Sequence, residues 1–168
     1  MPKIIENLES NLIGEARRQI EQDGYRAVTI RSVAQACGVG VGTVYNYFTS
    51  KDELLATYML SDWNDCIAAV NAASEAAQSP EPVLRCIYDQ LRAYAARNAA
   101  VFYDESAAAS FSGSLSRYHT MLRAQLSAPL RKFCESDFAA DFIAESLLTW
   151  AMAEKDFDEI YGMIDKLF

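Results

Sequence analysis

The chain has 168 residues, of which 51% are hydrophobic and 23% are charged. These values are typical of a folded globular protein and exclude wholesale disorder. The net charge of -8 argues against a nucleic-acid-binding protein, but only if the charges are spread evenly along the chain.

Apolar residues recur every three or four positions along most of the chain, which predicts an all-α protein. A first helix is expected over 3–23, because an apolar stripe ends there and Gly24 suits the end of a helix. Thr29 is predicted to cap a short second helix that ends at Gly38. A third short helix is expected over 41–48.

The later helices follow from breaks and caps in the sequence. Ser50 and Glu53 have the spacing of a capping box, which predicts the start of a long helix over 51–77. The prolines at 80 and 82 predict the start of the next helix, which runs to residue 97. Further helices are expected over 99–111, 114–135, 138–153 and 157–167. Pro129 should kink or split the helix that contains it.

The residues with catalytic or metal-binding chemistry form no recognisable constellation. The spacings between the four cysteines match neither paired zinc sites nor a redox motif, so we expect buried, reduced thiols. They are Cys37, Cys66, Cys86 and Cys134. His119 is the single histidine, whereas histidine hydrolases and zinc enzymes need a His within a constellation. The sequence therefore predicts no enzyme, no metal and no cofactor.

The longest stretch without a charged residue is Ser32–Ser50. Its length suits a membrane span, but its content of glycine, amide and hydroxyl residues does not. The first residues also lack the apolar segment of a signal peptide, so we expect a cytoplasmic protein.

The most informative pattern is Thr29–Leu55, TIRSVAQACGVGVGTVYNYFTSKDELL. It predicts two short helices joined by a glycine-containing turn, followed by a capped third helix. Phe48 is spaced to pack inward, which leaves Thr43, Asn46 and Tyr47 on another face. Such a polar face is suited to hydrogen bonding with a polar surface. This is the layout of a helix-turn-helix, whose second helix enters the DNA major groove. The run GVGVG is also compatible with a nucleotide-binding loop, but that loop needs a preceding strand and a helix is expected here.

These motifs resemble the signature of the TetR family of bacterial repressors. The resemblance is carried by Gly38-Val39, Gly42–Phe48, Ser50-Lys51 and Leu54-Leu55, and it covers about the first third of the chain. It implies a three-helix DNA-binding domain over 1–50. It also implies a long helix leading into a helical ligand-binding and dimerisation domain over 51–168.

The resemblance also implies a function. The chain would be a sequence-specific transcriptional regulator, a ligand-responsive repressor that binds a palindromic operator as a dimer. A small-molecule effector would favour the wrong spacing of the two recognition helices, through a coupling of about 1–3 kcal/mol. Two other readings stay open, namely a regulator-like protein that acts through protein partners and a helical-bundle enzyme.

Site residues follow from the resemblance position by position. The expected DNA contacts are Thr29, Arg31, Val41, Gly42, Thr43, Tyr45, Asn46, Tyr47 and Lys51. Within this set, Thr29 and Lys51 would contact phosphates, and Arg31 is equally consistent with a surface ion pair. Asn46 is the best candidate to read adenine, because its amide offers a donor and an acceptor together.

The second part of the chain has two further sets of candidates. Residues for an effector pocket, each of which also suits an ordinary core, are Trp63, Tyr88, Tyr94, Phe102, Tyr118 and Met121. Residues for the dimer surface expected on the last two helices are Phe138, Phe142, Ile143, Leu147 and Trp150. Packing within one subunit is the alternative for the second set.

The charge is distributed unevenly. Residues 1–55 hold six basic and seven acidic residues, a net charge of -1, and residues 56–168 hold nine basic and sixteen acidic residues, a net charge of -7. The acidity therefore belongs to the second part and does not exclude DNA binding. Because few cations are available for phosphates, we expect a shallow salt dependence.

Overall fold

The computed structural model describes residues 7–111 and 115–168, without the side chains of residues 108, 110, 111, 115–118 and 167. The α-helices are α1 Leu8–Asp23, α2 Ile30–Ala36, α3 Val41–Tyr45, α4 Lys51–Ala76, α5 Pro80–Arg97, α6 Ala99–Phe102, α7 Glu105–Phe111, α8 Leu115–Ser127, α9 Asp137–Met152 and α10 Phe157–Ile164. Two 3-10 segments, Ala128–Phe133 and Asp165–Leu167, follow α8 and α10. No strand occurs in the described ranges, and the predicted all-α class is confirmed.

The chain forms two compact units. Unit 1 comprises Met1–Ser61 and Asn98–Ser112, and unit 2 comprises Asp62–Arg97 and Gly113–Phe168. The sequence-based boundary after residue 50 divides the chain by function and stays a prediction. Unit 1 is discontinuous, because it takes in a segment from far along the sequence.

A single apolar core holds unit 1 together. Its buried residues are Leu8, Leu12, Ala16, Ile20, Tyr25, Val28, Ile30, Val33, Ala34, Val44, Phe48, Leu54, Leu55, Tyr58, Val101 and Ala107. The distant segment contributes Val101 and Ala107 to this core. Its Asn98 accepts a hydrogen bond from the Tyr58 hydroxyl, and its Asp104 pairs with Arg26 at 3.2 Å. The segment is therefore an integral part of unit 1.

Unit 2 has its own core, in which α9 packs against α5 and α8. Its fully buried large side chains are Trp63, Leu84, Ile87, Leu91, Leu126, Leu130, Ile143 and Leu147. The predicted disruption at Pro129 occurs: α8 ends at Ser127, and the proline lies in the 3-10 segment that follows.

The predicted helix over 99–111 is interrupted after Phe102. The Asp104 carboxylate accepts the backbone N–H groups of Ser106 at 2.8 Å and Ala107 at 3.1 Å, which caps a new helix. The apolar spacing continues across this break, so periodicity alone could not reveal it.

The four cysteines are free thiols: Cys66 is buried as expected, whereas Cys37, Cys86 and Cys134 are only half-buried. Burial raises the pKa of each of them, so at neutral pH they are protonated and pack as small apolar groups. Among the residues described, no helix has both the length and the apolar character needed to span a membrane.

Candidate nucleic-acid interface

The turn between α2 and α3 brings these two short helices together in unit 1. Gly38 adopts a φ of 68°, a conformation in which a side chain is strained. Gly40 is extended and precedes the first residue of α3. The predicted end of the second helix at Gly38 therefore agrees with the structure. The third helix is shorter than expected, since it ends at Tyr45.

α3 has one buried side and one exposed side. Val44 is fully buried, and Phe48, just beyond the helix, is 2% exposed. Tyr45 is 53% exposed and Tyr47 44% exposed, and Asn46 between them is also exposed. Within the described part of the chain, the side chains of Tyr45, Asn46 and Tyr47 form no hydrogen bond. Two aromatic rings and an amide from consecutive residues are therefore exposed to solvent.

Gly42 has no packing role in unit 1. It lies in α3 with an exposed backbone, and no atom lies within 4 Å of the position that a Cβ would occupy. A glycine inside a helix destabilises it by about 1 kcal/mol relative to alanine. The close approach of another molecule would explain the missing side chain. Beside it, Val41 and Thr43 are half-buried.

α2 carries an exposed cation and a capped start. Among the described residues, no carboxylate forms an ion pair with Arg31, which is exposed. Thr29 caps the helix as predicted: its Oγ1 accepts the Ser32 N–H at 2.9 Å, and the Ser32 Oγ accepts the Thr29 N–H at 3.0 Å. The oxygen of Thr29 is thus used internally, while its exposed hydroxyl can still donate.

A polar network that the sequence pattern did not predict supports this cap. Gln19 is 7% exposed, and its amide oxygen accepts the Ser32 hydroxyl at 2.6 Å. Its amide nitrogen donates to Glu15 at 2.7 Å. The Arg18 guanidinium beside Glu15 holds the pKa of that carboxyl at about 2. Gln19 lies seven positions after Leu12, on the core side of α1. A polar residue at such a position was the signal that could have revealed the network.

Lys51 is engaged inside unit 1. Its Nζ donates to the Tyr25 carbonyl oxygen at 2.8 Å and lies 3.6 Å from the centroid of the Tyr25 ring. Partial burial lowers the pKa of this lysine. The neighbouring Asp52 accepts the Tyr25 hydroxyl at 2.7 Å. The ammonium expected at a phosphate therefore has an internal partner.

The predicted capping box at the start of α4 forms only in part. The Ser50 hydroxyl oxygen accepts the Glu53 N–H at 3.1 Å. The Glu53 carboxylate accepts the N–H of Thr49 at 2.6 Å and the Thr49 hydroxyl at 2.5 Å. The loop between α3 and α4 is thus fastened at its end.

The structure describes the side chains of five of the six candidate effector residues. In unit 2, Trp63 packs edge-on against Tyr94 at 5.5 Å, both within the core. Tyr88 contacts Phe157 instead, and Met121 is half-buried. Phe102 belongs to unit 1, and the side chain of Tyr118 lies outside the described residues. That these six residues line an effector pocket stays a prediction.

The candidate dimer residues divide into two groups. Ile143 and Leu147 are fully buried in unit 2, so the prediction that they face a second copy is corrected: the core already uses their surface. Phe138, Phe142 and Trp150 are 78%, 50% and 47% exposed. These three side chains are called the α9 aromatic patch.

Comparison with known proteins gives one consistent result. Residues 12–58 match the family described as bacterial regulatory proteins, tetR family. The HTH-type transcriptional repressor KstR of Mycolicibacterium smegmatis is 32% identical over 121 residues, which cover 60% of this chain and 59% of that repressor. The HTH-type transcriptional regulator Rv1816 of Mycobacterium tuberculosis is 29% identical over 70 residues, 42% of this chain and 30% of that regulator. The chain thus spans less than two thirds of the length of these curated relatives.

Two solved structures share the fold over nearly the whole chain. The crystal structure of SCO7518 from Streptomyces coelicolor A3(2) has a TM-score of 0.72 at 16% identity and covers 94% of this chain and 96% of that one. The TetR family repressor AlkX from Dietzia sp. strain DQ12-45-1b has a TM-score of 0.67 at 17% identity, with 92% of each chain covered.

Proposed function

We propose that the chain is a member of the tetR family of bacterial regulatory proteins, whose model matches residues 12–58, and that it is a sequence-specific DNA-binding transcriptional regulator. The observation that carries the proposal is the exposed stretch Tyr45–Tyr47 at the end of α3. Its side chains are hydrogen-bonding groups without partners among the described residues, and the helix before it is anchored in the core through Val44. The major groove presents the donors and acceptors that such a stretch can match.

The proposed contacts follow from exposure and chemistry. Asn46 reads a base edge, and Tyr45 and Tyr47 flank it on the groove and backbone. Arg31 supplies a cation to the DNA from α2. The Thr29 hydroxyl donates to a phosphate.

Gly42 allows DNA to approach the backbone of α3 closely. Val41 and Thr43, half-buried on either side of it, add apolar and hydroxyl contacts, and a thymine methyl is the expected partner of Val41.

A second copy of the chain completes the proposed DNA-binding species. The α9 aromatic patch exposes three large rings, and burial of apolar area of this kind stabilises homodimers. Two copies present two recognition helices, which fit two half-sites of a roughly palindromic operator. Such a dimer would act in the bacterial cytoplasm, where the operator is located.

Repression and control by a small molecule are the finer parts of the proposal. They rest on the family and on the name of the relative KstR, a repressor. The relatives are regulators, which favours this proposal over a helical-bundle enzyme. An effector would be recognised by release of the operator when a metabolite fraction is added to the complex.

The direct test is selection of fragments bound by the protein from genomic DNA. We expect recovery of a small set of fragments that share a palindromic element. The centres of its two half-sites should lie about one helical turn of DNA apart. Recovery of random fragments, or of none, would contradict the proposal. A stable complex with a protein partner in that case would favour the alternative that acts through proteins.

The salt dependence of operator binding is a second test. Because residues 1–55 carry only six basic residues, and Lys51 is engaged internally, few phosphates can be neutralised by each subunit. The slope of log K against log salt is about -0.9 for each neutralised phosphate, so we expect a shallow slope. A steep slope, comparable to that of a strongly basic DNA-binding protein, would show that this interpretation of the charge is wrong.

A further inference from the structure

We propose that Lys51 is a positioning residue for DNA binding: it ties the turn before α2 to the segment that follows α3, instead of binding a phosphate. The inference rests on the proposed function and concerns how the DNA-binding surface is held in shape. It departs from the phosphate contact expected from the family resemblance.

The first argument is the geometry of the ammonium group. Lys51 Nζ has a backbone carbonyl at 2.8 Å and an aromatic face at 3.6 Å, and both belong to Tyr25. A hydrogen bond to a carbonyl and a cation over a ring are complementary, because both stabilise the positive charge at one place. An ammonium drawn away from Tyr25 to a phosphate would lose both contacts.

The second argument is that Tyr25 is itself fixed. The residue is 4% exposed in the core of unit 1, and its hydroxyl donates to Asp52 at 2.7 Å. Two consecutive residues at the start of α4 thus hold opposite ends of one buried tyrosine, its backbone carbonyl and its phenol. A mobile surface lysine would have no such arrangement around it.

The third argument is what this contact joins. Tyr25 follows Gly24, where α1 ends, and lies just before Thr29, the cap of α2. Lys51 comes directly after the segment 46–50, which contains Asn46 and Tyr47 and is called the recognition segment. The contact therefore fixes the distance between the start of α2 and the end of the recognition segment, all within unit 1. Loss of it should move Asn46 relative to Arg31 and Thr29.

The two roles of Lys51 predict different results for Lys51→Met, which keeps the length and removes the charge. A residue that binds a phosphate raises the affinity for DNA of every sequence equally. Its loss reduces the salt slope by about 0.9 for each contact. A positioning residue raises the affinity for the operator sequence in particular, and its loss leaves the salt slope unchanged. A merely structural role would lower only the fraction of folded, active protein and would move neither quantity.

The experiment uses the full-length protein with the operator duplex recovered by selection and a scrambled duplex of the same length. For Lys51→Met we expect the ratio of operator to scrambled affinity to fall by about tenfold, within the range observed for coupled neighbouring residues, with the slope retained. The control Arg31→Met removes an exposed cation without an ion-pair partner among the described residues. It should lower both affinities and reduce the slope.

Equal loss on both duplexes together with a reduced slope for Lys51→Met would overturn the proposal, and so would unchanged affinity for both. A measurement on the unsubstituted protein keeps the test valid if the variant fails to fold. The ε-methylene NMR signals of Lys51 should be shifted by the Tyr25 ring in the free protein, and this shift should persist when operator DNA is bound. Disappearance of the shift on binding would also overturn the proposal. If the unsubstituted protein selects no DNA, the proposed function itself has failed, and that result is visible before any variant is made.

Discussion

α3 in unit 1 and α9 in unit 2 both expose aromatic rings, but the two surfaces differ in chemistry. Around α3 the exposed rings are the tyrosines Tyr45 and Tyr47, with an amide between them. The exposed rings of the α9 aromatic patch are phenylalanines and a tryptophan. The ring centroids of Phe138 and Phe142 lie 6.4 Å apart. Tyrosine keeps a hydroxyl for a hydrated partner, whereas phenylalanine gains most from an apolar one.

This difference indicates two kinds of partner for one chain. A polar stretch at the end of a short, anchored helix suits the edges of bases and the sugar-phosphate backbone. An apolar patch on a long helix suits a protein surface, and a second copy of the chain supplies a matching one. Exposed aromatic area alone would not have separated these two uses, because the hydrogen-bonding groups beside the rings make the distinction.

The largest effect is expected when the α9 aromatic patch is made polar. Replacing Phe138, Phe142 and Trp150 together by serine should convert the protein to a monomer in analytical ultracentrifugation. Operator affinity should then fall by about 100-fold or more, because two linked half-site contacts become independent. The fold should survive, since these side chains contribute little to the core.

Tyr103→Ser is the matched control for this prediction, because Tyr103 is 79% exposed in unit 1 and lies outside the patch. It should leave both the mass and the affinity unchanged. If the triple variant remains a dimer, the α9 aromatic patch does not bind a second copy, and the proposed difference between the two surfaces is wrong.

The next effect in size concerns the polar stretch. Asn46→Ala should lower discrimination at one base pair of each half-site by about 1–3 kcal/mol, as expected for a lost bidentate contact. Binding measurements on operators with single base-pair changes would locate that position. Asn64→Ala, which removes an exposed amide from α4, should change no base preference. If Asn46→Ala retains the same preference at every position, Asn46 does not read a base.

The smallest effect is expected at Gly42, where stability and binding should change in opposite directions. Gly42→Ala should stabilise unit 1 by up to about 1 kcal/mol, because alanine is the better helix former. It should also weaken operator binding several-fold, because the added methyl group separates α3 from the DNA. Thermal unfolding and operator titration measure the two quantities.

Gly14→Ala provides the control for Gly42, since Gly14 is also an exposed helical glycine with no atom within 4 Å of a Cβ position. It should give the gain in stability without the loss of binding. Equal binding losses in both variants would mean that Gly42 has no special place against DNA.

Local signals determined a large part of the structure from the sequence alone. The helical class, the cap at Thr29, the turn at Gly38 and the break around Pro129 all follow from the preferences of residues close together in the chain. The inward packing of Val44 and Phe48 follows from helical spacing in the same way. The exposed residues around Asn46 could therefore be predicted, because they are the positions that remain once the buried ones are assigned.

Tertiary structure alone decided which distant residues meet. Nothing in the local sequence places Val101 in the core of unit 1, and apolar spacing on α9 could not tell that Ile143 faces inward while Phe142 faces solvent. Lys51 shows the same limit at the site. Its position after the recognition segment suggests a phosphate ligand, but the ammonium lies on Tyr25, because folding brings a carbonyl and an aromatic face from 26 residues away within its reach. The sequence alone determines the local elements, and the contacts between distant residues decide which side chains remain available for function.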